Sequence, residues 1–151
     1  MEDVRQATTD DVPRLVELVE LQQTTCAADG ALSRSQPASE ARKTLEDALG
    51  RDDRLVLVGT VDGYIAGLAL AMIGKHEPNE RVADVEIIFV EPPFRDLGLG
   101  EGLVTAVAVW ARENRCVEIE LRARPGDRNT KSLGERLGFV AQLIVMRKDL
   151  K

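Results

Sequence analysis

The chain has 151 residues, 44% hydrophobic and 30% charged, a balance that excludes a disordered, collagenous or membrane-embedded protein. Its formal net charge of −6, from 20 basic and 26 acidic residues, argues against a nucleic-acid surface and favours cationic partners. Cys26 and Cys116 lie far apart without a CxxC spacing, and His76 is the one histidine, so neither a metal site nor a disulfide framework is expected.

The length suits one compact domain over residues 1–151. The opening "MEDVRQATTDD" lacks the basic and apolar regions of a secretory signal, and no segment approaches the ~20 apolar residues of a membrane span. A cytoplasmic protein with no membrane partner is the expectation.

In chain order, Val4 to Ala7 reads as a short strand. Thr9 or Asp10 can cap the helix that follows, which carries Pro13 in its first turn and the apolar stripe Val12, Leu15, Val16 and Val19. After a polar stretch, Pro37 to Leu49 reads as a second helix ended by Gly50. "RLVLVGTVDGYIAGLALAMI" is two β-rich runs around Asp62-Gly63, a hairpin signal because both residues tolerate positive φ. The polar "GKHEPNERV" is expected to be a loop leading into a third strand, "ADVEIIFV".

Leu99, Leu103, Val107 and Trp110 recur at helical spacing over Leu99 to Arg112. "CVEIEL" alternates Val117, Ile119 and Leu121 with Glu118 and Glu120, the period of a half-buried strand. Strand, helix and strand in that order predict a parallel crossover appended to an antiparallel meander. A helix over Asn129 to Leu137 and a last strand within "FVAQLIVMRKDL" complete the predicted mixed α/β sheet.

Between the third strand and the helix stands "VEPPFRDLGLGEGL". Pro92 and Pro93 cannot donate to a ladder and end the strand. Gly98, Gly100 and Gly102 permit tight turning and close approach of a ligand, while Arg95 adds a cationic fork. A helix starting there presents unpaired N–H groups and a partial positive charge, the physical basis of a phosphate site. A P-loop would need Lys-Ser or Lys-Thr where this chain has Glu101 and Gly102, and a dinucleotide fingerprint would need glycine at Leu103.

The same stretch resembles the R/Q-x-x-G-x-G/A pyrophosphate loop of the GNAT N-acetyltransferase superfamily, with Arg95, Gly98 and Gly100 in the defining places. "VRQATTDDVPRL", "DGYIAGLALAMI" and "LGERLGFVAQ" are similar to the family's opening strand and helix, hairpin strand and late helix, in family order. The resemblance implies a GNAT-like fold with strands splayed at the cofactor site, and acetyl-CoA as acyl donor without a metal. It implies that amides of Arg95, Asp96, Leu97, Gly98, Leu99, Gly100 and Glu101 hold the pyrophosphate, and that Ile88, Phe89 and Val90 pair with the pantetheine arm. The activity it implies is transfer to a small-molecule or peptide amine by direct attack in a ternary complex.

An amine must lose a proton to become a nucleophile, and Asp84 and Glu86 are candidate bases because they interrupt an apolar strand on one predicted face. Asp84 matches the place of the catalytic glutamate in several family members; Glu86 lies one pleat nearer the expected thioester. The family's tyrosine acid would fall at Gly134, so the acid stays unassigned, with Ser132 a candidate for contact with the thiol. Asp127 or Asn129 answers to the asparagine that touches the cofactor arm in the family, and Arg128 or Lys131 could meet a phosphate. Tyr64 reads as an ordinary strand residue. The alternative function is an acyl-CoA-binding sensor on the same fold, a weaker one a nucleotide-binding module; exposed sheet edges are compatible with a homodimer.

Overall fold

The fold was analysed in a computed structural model, which describes residues 1–28, 37–76, 80–123, 127–146 and 148–151. Among them, five strands form one sheet in chain order, β1 (Glu2–Gln6), β2 (Arg54–Val61), β3 (Tyr64–His76), β4 (Glu80–Val90) and β5 (Glu118–Leu121). The first four are antiparallel neighbours, and β5 joins β4 in parallel, as the strand, helix, strand order requires. Asp62 and Gly63 both adopt positive φ, 50° and 85°, and turn β2 into β3. The predicted loop after Ile73 is shorter than expected: β3 runs through His76 and β4 begins at Glu80, because Gly74 and Val82, and Lys75 and Arg81, continue the ladder.

Helices α1 (Val12–Ala28) and α2 (Ala38–Leu49) cover one face of the sheet, α3 (Leu99–Glu113) and α4 (Arg128–Arg136) the other. On the first face Leu15, Leu18 and Leu45 bury against Val58, Leu68 and Leu70; on the second Leu103 and Val107 bury against Leu57, Ala69 and Val85. Trp110 packs on this second core, so the apolar stripe of α3 serves the sheet.

The cap before α1 differs from the expected Thr9 or Asp10. A short 3-10 turn, Thr9–Asp11, precedes the helix, and the Thr8 N–H donates to Asp11 Oδ2 at 2.7 Å. Asp11 is only 7% exposed because Arg5 on β1 holds it through two hydrogen bonds, 2.7 and 3.0 Å, tying the helix entrance to the sheet.

The predicted last strand is absent: the described residues beyond Gly138 form no strand. Their composition suits a sheet, but a strand also needs a neighbouring edge to pair with, and here the segment stands away from its own sheet. No helix among the described residues is long and apolar enough to cross a membrane.

Candidate active site

The β4–β5 ladder ends at Val85 and Leu121, whereas β4 itself continues to Val90. Beyond Val85 β4 runs on without β5 beside it, and at its far end opens a cleft of about 280 Å³. Its walls come from the end of β4 (Ile88, Phe89, Val90), the turn after it (Phe94, Arg95, Asp96), the start of α3 (Gly98 to Glu101) and one face of α4.

Gly98 is the N-cap of α3 with φ +83°, a conformation L side chains rarely adopt, and Asp96 two residues earlier has φ +69°. These reversals aim the helix start at the cleft. No side chain caps α3, and no acceptor among the described residues meets the amides of Asp96, Leu97, Gly98, Leu99, Gly100 and Glu101; the first bond of the helix is Gly102 N–H to Gly98 O, 3.0 Å. α4 is treated differently, since Asp127 Oδ1 accepts from Thr130 N–H at 3.1 Å. An uncapped helix start facing a cleft keeps its donors and partial positive charge for a ligand.

The other two glycines of the loop do different work. A Cβ at Gly100 would lie 3.2 Å from Leu133 Cδ2, and one at Gly102 3.3 Å from Val4 Cγ2, so these positions let α3 approach α4 and β1 closely. Only Gly98 needs its backbone freedom.

Arg95 is turned back onto the strand end. Its Nε donates to Val90 O at 3.0 Å and its guanidinium lies 5.6 Å from the Phe89 ring centre, which leaves its terminal nitrogens without a partner among the described residues. Asn129 lines the cleft while Asp127 caps the helix, which separates the two candidates left open by the sequence. Arg128 and Lys131 do not line it; the basic residue of α4 that does is Arg136. Asn129, Leu133 and Arg136 lie at i, i+4 and i+7, a helical face that the sequence carried but that its charges, scattered around α4, obscured. Leu97 and Ser132 are exposed and outside the cleft wall.

Neither candidate base lines the cleft. Asp84 is buried, and Arg122 binds it at two points, Nη2 to Oδ2 at 2.7 Å and Nε to Oδ1 at 3.2 Å. Glu86 is half-buried with no such partner among the described residues. It also interrupts the expected alternation, because Leu70 pairs with Ile87 and Ala71 with Val85, leaving Glu86 as the extra residue of a β-bulge. Val85 and Ile88 consequently pack on one core while Ile87 and Phe89 pack on the other. Glu86 lies two residues from the cleft-lining Ile88, roughly 7 Å along a strand.

Tyr64 is more than a strand residue. Its ring stacks on Phe94 at 5.1 Å, its hydroxyl donates to Glu91 at 2.9 Å and accepts from Arg14 at 2.6 Å, and Arg14 also pairs with Glu91. The bond to Glu91 raises the phenol above its ordinary pKa. This cluster ties α1 and β3 to the turn that leads into the cleft. Gly134, where the family's tyrosine would fall, is buried; a Cβ there would lie 3.2 Å from Leu121 Cδ2 and 3.5 Å from Phe139 Cβ. Cys116 is a half-buried free thiol just before β5, whereas the side chains of Cys26 and His76 lie outside the described residues. No group of three or more metal-ligating side chains occurs among the described residues.

The chain belongs to the acetyltransferase (GNAT) family, whose model matches residues 15–139. It is accordingly an N-acetyltransferase of the GNAT type. It is 29% identical over 99 residues to an aminoglycoside N(6')-acetyltransferase type 1 of Salmonella typhimurium strain LT2, covering 62% of this chain and 68% of the relative. A second such enzyme, from Acinetobacter baumannii, is 31% identical over 71 residues, 46% of this chain and 49% of that one. Among solved structures, aminoglycoside N-acetyltransferase AAC(6')-Iy in complex with CoA superposes with a TM-score of 0.80 at 25% identity, covering 98% of this chain and 95% of that chain. A predicted acetyltransferase with acetyl-CoA from Clostridium acetobutylicum shares the fold, with a TM-score of 0.80 at 17% identity over 99% of this chain and 97% of the other.

Proposed function

We propose that the cleft at the end of β4, walled by the starts of α3 and α4, binds the diphosphate and arm of acetyl-CoA and presents its thioester to a small cationic amine. The observation that carries this reading is the run of amides at residues 96–101, without an acceptor among the described residues, at an uncapped helix start on the cleft wall. Donors of this kind match a diphosphate's oxygens, and the amides cost nothing to reorganise because Gly98 already holds the turn. Arg95 and Arg136 add positive charge on either side.

The β4–β5 ladder stops at Val85, so Ile88, Phe89 and Val90 have a side that β5 does not cover, suited to an extended acyl carrier. Glu86, without a competing cation among the described residues, is the proposed base; it takes the proton the attacking amine releases, directly or through water. The new amide bond forms as the carbon–sulfur bond breaks, and the thiolate leaves with a proton from solvent or from a group the sequence leaves unnamed. Asn129 and Ser132 are proposed to contact the carrier arm, Asn129 from the cleft wall and Ser132 only after a change in the donor's path.

Three of the similar proteins named above are aminoglycoside acetyltransferases by name, and a polyamine of that chemistry suits a protein of net charge −6. The test is thiol release from acetyl-CoA over a panel of aminoglycosides, polyamines, amino acids and peptide amines. Turnover with aminoglycosides supports the acceptor class; no turnover with any amine, despite acetyl-CoA binding by calorimetry, overturns the reading.

A further inference from the structure

The turn that leads into the cleft has few main-chain ties to the rest of the molecule. Pro92 and Pro93 have no N–H to give, and the bonds from Phe94 N–H to Glu91 O, 2.9 Å, and from Arg95 N–H to Pro92 O, 3.3 Å, close within the turn. Among the described residues, one main-chain bond joins residues 91–96 to the neighbouring strand, Glu91 N–H to Ala66 O at 2.8 Å. A single bond at one end leaves the angle of the turn to its side chains.

Two of those side chains are held from outside the cleft. Phe94, which lines it, stacks on Tyr64, and the Glu91 carboxylate accepts from the Tyr64 hydroxyl and from Arg14. Arg14 is the node of this cluster. It stands near the start of α1, on the sheet face opposite α3 and α4; its Nε donates to Ile65 O at 3.2 Å, and its Nη2 to the Tyr64 hydroxyl at 2.6 Å and to Glu91 Oε1. One guanidinium thus joins α1, the main chain of β3 and the residue that follows β4. The side chains of Arg14 and Glu91 are 26% and 14% exposed, so water and salt weaken their attraction less than that of a surface pair.

Arg14, Tyr64 and Glu91 do not line the cleft, so their influence on a molecule bound there passes through the turn. We propose that Arg14 is a positioning residue for the acyl donor, which sets, through Glu91 and Tyr64, the angle at which the turn of residues 91–96 offers its amides to the diphosphate. The inference rests on the reading of this cleft as the acetyl-CoA site. Lysine is no substitute at this position, because a single nitrogen on a flexible stem cannot meet Ile65 O, the Tyr64 hydroxyl and Glu91 from three fixed directions.

The test compares the full-length wild type with Arg14→Ala, Arg14→Lys, Glu91→Gln and the double variant Arg14→Ala/Glu91→Gln, by acetyl-CoA calorimetry, steady-state kinetics and urea unfolding. Arg14→Ala is expected to weaken acetyl-CoA binding roughly 3- to 30-fold and to raise its KM in step, while kcat and the KM for the amine hold. Arg14→Lys should fail to restore donor affinity fully, and Glu91→Gln should show a smaller loss of the same kind. Because Arg14 acts through Glu91, the double variant should bind acetyl-CoA no more weakly than Arg14→Ala alone. In the absence of ligand, amides of residues 94–98 should exchange faster in Arg14→Ala than in the wild type. If Arg14→Ala does not fold, Arg14→Lys and Glu91→Gln decide by the same readouts. Wild-type donor affinity in the folded variants overturns the proposal, as does a loss that strikes kcat and the amine KM equally and follows stability. Additive losses in the double variant overturn the route through Glu91. A wild-type protein that does not bind acetyl-CoA overturns the reading of the cleft and this proposal with it, whereas wild-type binding matched by every variant overturns this proposal alone.

Discussion

Arg122, in the first position after β5, clasps Asp84 of β4 through two hydrogen bonds, so of the two candidate bases on that strand the deeper one is already ion-paired. An acceptor of protons should be free of such a partner, and Glu86 at the bulge has none among the described residues. Glu86→Gln is therefore expected to lower kcat about 100- to 10,000-fold with little change in the KM for acetyl-CoA. Asp84→Asn should instead lose stability, by about 1–3 kcal/mol in urea unfolding, by weakening the grip of Arg122. The opposite pattern, turnover lost in Asp84→Asn and kept in Glu86→Gln, would exchange the two roles.

Loop geometry makes a second prediction. Gly98 has φ +83° and open space where a Cβ would stand, so Gly98→Ala is expected to cost about 1 kcal/mol of strain and to fold normally. Gly98→Trp adds bulk at the helix start and should abolish CoA binding measured by calorimetry. Wild-type affinity in a folded Gly98→Trp protein would remove the loop from donor binding.

Tyr64 braces the turn that bears Phe94 from outside the cleft. Tyr64→Ala is expected to raise the KM for acetyl-CoA several-fold while kcat holds, since the turn loses its stacking partner and its link to Glu91. Tyr64→Phe keeps the stack and should fall between the two. Equal loss of kcat in Tyr64→Phe and Tyr64→Ala would point to a role for the hydroxyl in the reaction itself.

Arg5 is the main reason that the Asp11 carboxyl is pulled from 3.8 to about 2, with the Thr8 N–H assisting. A depressed carboxylate pKa stabilises the folded chain above the unfolded value, and that contribution disappears as pH falls from about 4 through about 2. Asp11→Asn is expected to cost roughly 1–2 kcal/mol at neutral pH, allowing for the partly exposed Arg5, and progressively less on acidification over that window. A pH-independent difference between the two proteins would remove the ion pair from the account.

Much of the fold was legible because local chemistry and periodicity agreed. Asp62-Gly63 marked the β2–β3 turn, the spacing of Leu99, Leu103 and Val107 marked α3, and two prolines followed by Gly98 marked where β4 must stop and a helix with free donors begin. Those signals sit within a few residues of one another, and each follows from a backbone preference that no distant contact needs to supply.

Tertiary structure alone decided the remainder. The bulge that makes Glu86 an extra residue depends on the register between β3 and β4, and the guanidinium on Asp84 comes from a residue 38 positions away. Arg136 entered the cleft wall, in place of Arg128 or Lys131, through the rotation of α4 against Leu121 and α3. The terminal run Leu143 to Met146 has the composition of a strand, but the sheet leaves it unpaired. A sequence states what each segment can form; hydrogen bonds and contacts between distant segments form only where folding brings their edges and faces together.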